Sequence, residues 1–478
     1  MKAKYSVVSV ALVVLALLAG SGLVLAEVVT EHEPWQDQHL QADFQLPTGA
    51  VSPAELERIR EYGEQLFKAR FTREEGAGRP KATQAIIPTK RKRVSEFTFS
   101  RTAGLDAAAC AGCHNEPKLG GAGDFAANVF VSEGFVNADF DSLDPQFSNE
   151  RNSNHLFGAG LVELLAREMT TELHQLRQQA LQQARRTQQA VKVELRTKGV
   201  SYGYLTAEPE GVVDLTALQG IDTDLIIRPF SQKGVFVSLR QFTINAMNQH
   251  HGMQAIERFG ERWTGEADFD EDGIKNEMNA ADISALVAWQ ASLPPPIQQQ
   301  PADLKWQQAA AKGEQLFHKI QCASCHIPAL PLKSLSFTDP GGWDLAGTLR
   351  QGEQTDAKLS YDFALQTWAK QLKRNEKGEF LIPLFGDLKR HVIADEQVAA
   401  LGNELLSQRF VERDQFMTSE LWGIASTAPY GHRGDQLTLN EIIQAHGGEG
   451  RAARDAYLAL SDTERSSLIA YLKTLVIE

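Results

Sequence analysis

The sequence predicts a mainly α chain built from two units of one plan, with a small β-hairpin insertion in the first. Three observations predict it. The pentapeptide Gly63-Glu64-Gln65-Leu66-Phe67 recurs letter for letter as Gly313-Glu314-Gln315-Leu316-Phe317. Each copy precedes a C-x-x-C-H motif: Cys110-Ala111-Gly112-Cys113-His114 in the first unit, Cys322-Ala323-Ser324-Cys325-His326 in the second. A weaker echo follows each motif, Leu156-Phe157-Gly158 against Leu421-Trp422-Gly423. From Gly to the first Cys the spacing is 47 residues in one unit and nine in the other, so the repeat is a duplication and not a tandem solenoid.

C-x-x-C-H is the attachment signature of c-type haem. Two thiols three positions apart reach the two vinyl groups on one porphyrin edge, and the next His lies under the iron. A redox dithiol, a structural disulfide and half of a zinc site are the alternatives for a single such motif. Here all four cysteines of the chain sit in the two motifs. A zinc site built from both would not require a His after each pair. Two covalently bound haem c groups are therefore expected. Cys110, Cys113, Cys322 and Cys325 attach them, and His114 and His326 are the proximal iron ligands. The two units are then two cytochrome c-like domains.

The elements follow in order. Lys2 and Lys4 precede an apolar run from Val7 to Ala26 that ends Val24-Leu25-Ala26, a secretory signal peptide over residues 1–26. An uncleaved membrane anchor is the alternative. Either way the body is exported, here to the periplasm, in keeping with covalent haem. Residues 27–53 read as a flexible leader. A helix begins near Pro53, which suits a first helical turn, and opens an N-terminal haem domain over 54–292. Residues 72–104 look like a loop insertion. Leu161 to about Lys198 reads as one long helix with a Gln- and Arg-rich face, and Gly199–Gly234 as the hairpin insertion. Residues 293–302, with Pro294-Pro295-Pro296, form a linker. The C-terminal haem domain spans 303–478 and closes on a helix from about Thr463 to Val476.

The formal charge is −13, or −15 without Lys2 and Lys4. That argues against nucleic-acid binding and permits docking of a basic redox protein. Lys90-Arg91-Lys92-Arg93 is the only dense basic cluster and reads as a solvated loop.

The sixth iron ligands decide the function, because a capped iron carries electrons and an openable one binds peroxide. Thr438-Leu439-Asn440-Glu441 fits a capping box, and Gly447-Gly448 a helix stop, which places His446 in that helix's last turn. Thr427 to Gly448 resembles the end of the bacterial di-haem cytochrome c peroxidases, whose pattern is T-A-P-Y-x-H-x-G, a short helix and an iron-binding Met. His446 falls at the Met position, and the His-Gly-Gly version looks more like the di-haem oxidoreductase (thiol oxidoreductase-like) branch. The resemblance implies His326/His446 ligation; Met417 is the alternative. His432 reads as a propionate or backbone contact. For the N-terminal haem, Met169 ranks first as the distal ligand, with His251 and Met253 behind it and His155 also a candidate. If that iron is open, Glu163, Glu168 and Gln254 are candidate acid/base or hydrogen-bonding groups for peroxide cleavage.

Asp268-Phe269-Asp270-Glu271-Asp272-Gly273 matches the start of a calcium loop, although its twelfth position is Asn279 and not Glu. The resembling peroxidases also hold calcium, so a structural Ca2+ bound by Asp268, Asp270 and Asp272 would fit, although it need not be the same site; a solvated acidic turn is the alternative. The resemblance implies an oxidoreductase in which electrons from a small redox protein, a cytochrome c or similar, enter at the C-terminal haem and pass to the N-terminal haem to reduce hydrogen peroxide. A non-catalytic electron carrier with both irons capped is the alternative.

Overall fold

The computed structural model describes residues 38–41, 43–47, 51–78, 90, 108–124, 126–131, 148–344, 358–404 and 411–478. The signal-peptide run, the ends of the leader, most of the 72–104 loop and three of the four residues of the basic cluster lie outside them. Among the described residues no helix is long and apolar enough to cross a membrane.

The principal helices are α1 Pro53–Lys68, α2 Ala159–Thr187, α3 Leu239–Ala246, α4 Ala280–Ala291, α5 Leu304–Lys319, α6 Leu439–Gln444, α7 Arg451–Leu458 and α8 Asp462–Leu472. The expected start of α1 holds. Ser52 caps it, and Glu55 returns a bond to the Ser52 N–H in a capping box, an arrangement that stabilises a helix end by about 1 kcal/mol.

The repeated pentapeptide makes the same contact twice. A Cβ at Gly63 would run into the Ala285 carbonyl oxygen of α4, and one at Gly313 into the Ser467 carbonyl oxygen of α8. The helix pairs α1/α4 and α5/α8 can therefore approach backbone to backbone only at glycine. The repeated Phe sits one turn on. Phe67 packs on Trp289 with centroids 4.3 Å apart, and Phe317 on Tyr471 at 5.6 Å. Gly313→Ala should destabilise the chain by about 2 kcal/mol: helix propensity favours Ala by up to ~1 kcal/mol, but overpacking against rigid backbone costs ~1–3 kcal/mol or more. A thermal melt that stays unchanged or rises would contradict this packing.

Several expected boundaries move. The long helix stops at Thr187, with Gln188 in the left-handed region (φ 53°). Val191, Val193 and Leu195 alternate, so Val191–Thr197 is strand β3, not helix. It pairs antiparallel with β4, Val200–Ala207, which pairs with β5, Val213–Asp214; β1, Ala126–Val131, and β2, Ser148–Asn152, pair earlier in the chain. The insertion is thus three-stranded, starts before Gly199 and ends at Asp214. Leu225, Ile227, Val235 and Val237 are buried without joining it. The linker is tied down, since Ile297–Gln298 pairs with Leu475–Val476, and the last helix ends at Leu472 to make that strand. The leader too is held at its described residues. Phe44 packs on Tyr62 at 4.2 Å and the Gln41 N–H donates to the Tyr62 hydroxyl.

One apolar core joins Ile59, Leu66, Leu161, Leu165 and Leu286 to Leu332, Phe337, Phe363 and Ile382. The described residues of this stretch, 330–344 and 358–388, which follow the second motif, thus pack on the first unit. A second core around Phe317, Tyr457 and Tyr471 belongs to the second unit alone. The joint also holds a buried ion network. Arg240 on α3 donates to Asp339 at 2.7 Å and to Glu257 at 2.9 Å, and the Ser284 hydroxyl on α4 donates to Asp339 at 2.6 Å.

Candidate functional site

The two C-x-x-C-H motifs fold alike. Each makes a single helical turn whose first carbonyl accepts from the His N–H, Cys110 from His114 at 3.0 Å and Cys322 from His326 at 3.1 Å. None of the four cysteines is in a disulfide. Burial pushes the Cys110 thiol up to about 12 and the Cys322 thiol to about 11. These are the opposite of the lowered values that mark a redox dithiol.

His114 lines a cavity with about 720 Å³ of space, part of it open to solvent. Cys110, Cys113 and His114 form one wall; Phe67, Leu156, Phe242 and Leu286 supply apolar sides. The remaining wall comes from α3 and the π-helical turn that continues it, Met247–His251. Such turns often occur at functional sites. This one brings Met247, His250 and His251 to the cavity, with His251 Nε2 3.5 Å from Cys110 Sγ. It ends at Gly252 (φ 73°), where a Cβ would strike the Gly78 carbonyl.

At the second motif the geometry is tighter. The rings of His326 and His446 lie with centroids 6.4 Å apart and planes at 62°. A metal–imidazole bond is about 2 Å, so one metal atom between two such rings spans roughly this distance. His446 lies just past the end of α6, which Thr438 and Glu441 cap as expected. Its loop lies against Val392–Val398: a Cβ at Gly447 or Gly448 would meet the Val398 or Val392 carbonyl. That explains the His-Gly-Gly sequence.

The three rings share a further feature. His114 Nδ1 lies 3.3 Å from the Gly121 carbonyl, His326 Nδ1 3.3 Å from that of Phe385, and His446 Nδ1 2.7 Å from that of Ile442. A carbonyl only accepts, so Nδ1 carries the proton and Nε2 is left as the ligand atom. Burial lowers all three pKa values, that of His326 to about 4, which keeps the rings neutral as metal ligation requires. An apolar cavity beside a paired thiol motif, and a second motif with an imidazole opposite, fit haem. A smaller cluster, Cys325, Asp387 and His391, could also group around a metal, but Cys325 belongs to the second motif.

Other expected residues lie elsewhere. Met169 is fully buried in the apolar core of α2 and does not line the His114 cavity; its helical spacing puts it on the core-facing stripe. Met253 and Gln254 are buried beyond Gly252, outside the cavity lining. Glu163 is buried, pairs with Arg167 and accepts from the Leu239 N–H at 2.8 Å. Burial pushes its carboxyl up to about 7 against the pull of Arg167. Glu168 binds Lys198 at 2.6 Å and the Lys333 N–H at 2.9 Å. These two carboxylates tie α2 to its surroundings and do not reach the cavity. Met417 sits in a strand paired with Arg390, with its side chain beside Gly234. His432 is buried and stacks on Phe416 at 4.4 Å. Sequence reasoning missed Met247 and Gln290 in the cavity wall. Neither stands near a motif, and only the π-helical turn aims Met247.

The two sites approach through the echo segments. Gly158 packs under the Trp422 ring, and His155 Nε2 lies 3.0 Å from the Trp422 carbonyl. Burial lowers the His155 pKa to about 4.

Residues 378–475 match a family described as "Di-haem oxidoreductase, putative peroxidase". The matched segment contains the Tyr430–Gly448 stretch. A redox function with haem as cofactor is the coarse reading this supports. Among solved structures, a MauG-like protein associated with microbial copper homeostasis is 18% identical, covering 57% of this chain and 78% of its own, with a TM-score of 0.28. Kuenenia stuttgartiensis hydrazine synthase is 13% identical, covering 93% of this chain and all of its own, with a TM-score of 0.32. No curated protein matches.

Proposed function

We propose that the chain is a periplasmic di-haem c-type oxidoreductase, two cytochrome c-like domains in one chain, that reduces hydrogen peroxide with electrons from a small redox protein. The asymmetry of the two sites carries this reading. His326 and His446 stand one metal atom apart, which suits an electron-transfer iron capped on both faces. His114 instead opens on a cavity whose lining includes Met247, His250 and His251.

Haem, attached through Cys110 and Cys113 and through Cys322 and Cys325, supplies the electron storage and the oxygen chemistry. The chain's own groups do the rest. The Gly121, Phe385 and Ile442 carbonyls orient the ligand imidazoles, and the apolar walls limit water around His114. His155, at the contact between the sites, stays neutral. With haem held at both motifs, the Gly158–Trp422 contact would lie between a C-terminal site that takes electrons in and the N-terminal site that would use them. Calcium at Asp268, Asp270 and Asp272 completes the cofactor set. Export through residues 1–26 places the protein where covalent haem is made.

One specific observation favours the carrier reading: His251 lies close enough to Cys110 to cap the N-terminal iron as well. Electronic and electron paramagnetic resonance spectra of the purified chain, oxidised and half-reduced, separate the two. The expected result is one low-spin signal in both states and a high-spin signal, present or appearing on half-reduction, that peroxide consumes. Two low-spin signals indifferent to peroxide would sink the peroxidase reading.

A further inference from the structure

The first unit grips the second beside its C-x-x-C-H site. Tyr202, on strand β4 of the insertion, is fully buried. Its hydroxyl donates to the Leu388 carbonyl at 3.0 Å and shares that proton with the Asp387 carbonyl at 3.2 Å. Beyond β5, the Gly220 carbonyl accepts from the Arg390 N–H at 3.1 Å, and a Cβ at Gly220 would strike the Arg390 carbonyl. Asp222 pairs with the Arg390 guanidinium. Phe385 (φ 55°) and Leu388 (φ 54°) stand in the left-handed region, which a bulky residue occupies only when its surroundings hold it there. The insertion supplies part of that hold.

The gripped segment serves both rings of the second site, one at each end. At its start the Phe385 carbonyl accepts from His326 Nδ1 at 3.3 Å, and the Gly386 N–H donates at 3.1 Å to the carbonyl of Ile327, the residue after His326. At its other end His391 bridges two carboxylates, with Nε2 2.8 Å from Asp387 and Nδ1 2.7 Å from Glu449. Glu449 belongs to the loop of His446, and its second oxygen accepts from the Val392 N–H at 3.0 Å. The Gly447 N–H donates to the Ile393 carbonyl at 2.8 Å. Residues 385–393 thus form a continuous brace from one imidazole to the loop that carries the other.

We infer that Tyr202 and His391 are positioning residues for the His326/His446 pair: through residues 385–393, the insertion of the first unit sets the spacing of two rings that belong to the second. Neither residue needs to touch the metal. The partner of a ligand imidazole fixes its orientation. Here that partner, the Phe385 carbonyl, is itself held in place by a side chain from the other unit. An iron between the rings rests on the haem reading above; the brace does not.

The test compares Tyr202→Phe and His391→Gln with the parent, using the full chain carrying its haems. Hydrogen exchange read by mass spectrometry should be about fivefold faster over 385–393 and 445–450 in Tyr202→Phe, the worth of one buried hydrogen bond. His391→Gln should free 445–450 and leave 385–388 close to the parent. Cyanide, titrated against the low-spin His326/His446 signal, should displace His446 with about fivefold higher affinity in both variants and bind the N-terminal iron as before. Tyr204→Phe makes the same chemical change on an exposed ring of the same strand and should move none of these readings. Exchange that is unchanged in Tyr202→Phe, or moved as far by Tyr204→Phe, overturns the proposal. Faster exchange with unchanged cyanide affinity overturns its reach to the ligand pair. A chain without haem sinks the haem reading, and the exchange rates alone then decide the brace.

Discussion

In the proposed reading, replacing His446 by Met is expected to raise the midpoint potential of the C-terminal haem by on the order of 0.1–0.3 V, well inside the ~0.8 V range that axial ligands cover. Met is unbranched and reaches as far as His, so it can fill the same position after α6. A thioether donates less electron density to the iron than an imidazole does and so favours the reduced state, which is why His/Met ligation lies higher than His/His. Cys322, Cys325 and His326, which hold the haem in that reading, are untouched, so it should remain bound. The structural reason to expect a clean exchange is the fixed approach of the loop. Gly447 and Gly448 pass the Val398 and Val392 carbonyls, and the Gly448 N–H donates to Asp395 at 2.5 Å. Redox titration of the low-spin signal reads the result directly. A potential unchanged by His446→Met would show that His446 is not the ligand, whatever its distance from His326.

Much of this architecture is legible in the sequence because it rests on local chemistry. Pro53 after a capping Ser, the Thr438-to-Glu441 box and the two C-x-x-C-H turns each specify their own geometry within a few residues. The letter-for-letter pentapeptide is legible for a different reason. Gly63 and Gly313 are required by contact with a partner helix about 220 and 150 residues away, and the same contact repeated in both units leaves the same five letters. What the sequence does not display is the direction of a side chain on a helix whose partners are unknown. Met169 carries the right ligand chemistry, but α2 turns it into the core. Glu163 and Glu168 lie on the same helix and spend their charge on Arg167 and Lys198. Met247 and His251 reach the cavity only because α3 widens into a π-helical turn, a change of register that no periodicity announces. The β3 strand was hidden similarly. Its polar alternation, Lys192 and Glu194 between valines, continues the look of the helix face before it, and tertiary pairing with β4 decides the outcome.

Arg240→Met is expected to cost about 3–5 kcal/mol, the usual consequence of leaving buried charges without their partner. Arg240 is 2% exposed. Its guanidinium meets Asp339 at 2.7 Å, Glu257 at 2.9 Å and the Ser284 hydroxyl at 2.9 Å. Asp339 already has one buried oxygen without a partner, so losing Arg240 leaves it only Ser284. Asp339→Asn should be milder, about 1–3 kcal/mol, because Arg240 keeps Glu257. The two changes share one partner and should not add: Arg240→Met with Asp339→Asn should cost less than the sum of the single losses. Urea unfolding of the three variants measures this, and an Arg240→Met variant within ~0.5 kcal/mol of the parent, the range of ordinary surface changes, would refute it. The consequence reaches the two sites. Asp339 follows Phe337 in the 330–344 stretch that packs on the first unit, and the Trp422 ring over Gly158 belongs to the same core. A chain weakened there should lose the defined approach between its two C-x-x-C-H sites while each site keeps its own ligands. In the proposed reading, electron transfer from one site to the other should therefore slow more than either haem's spectrum changes.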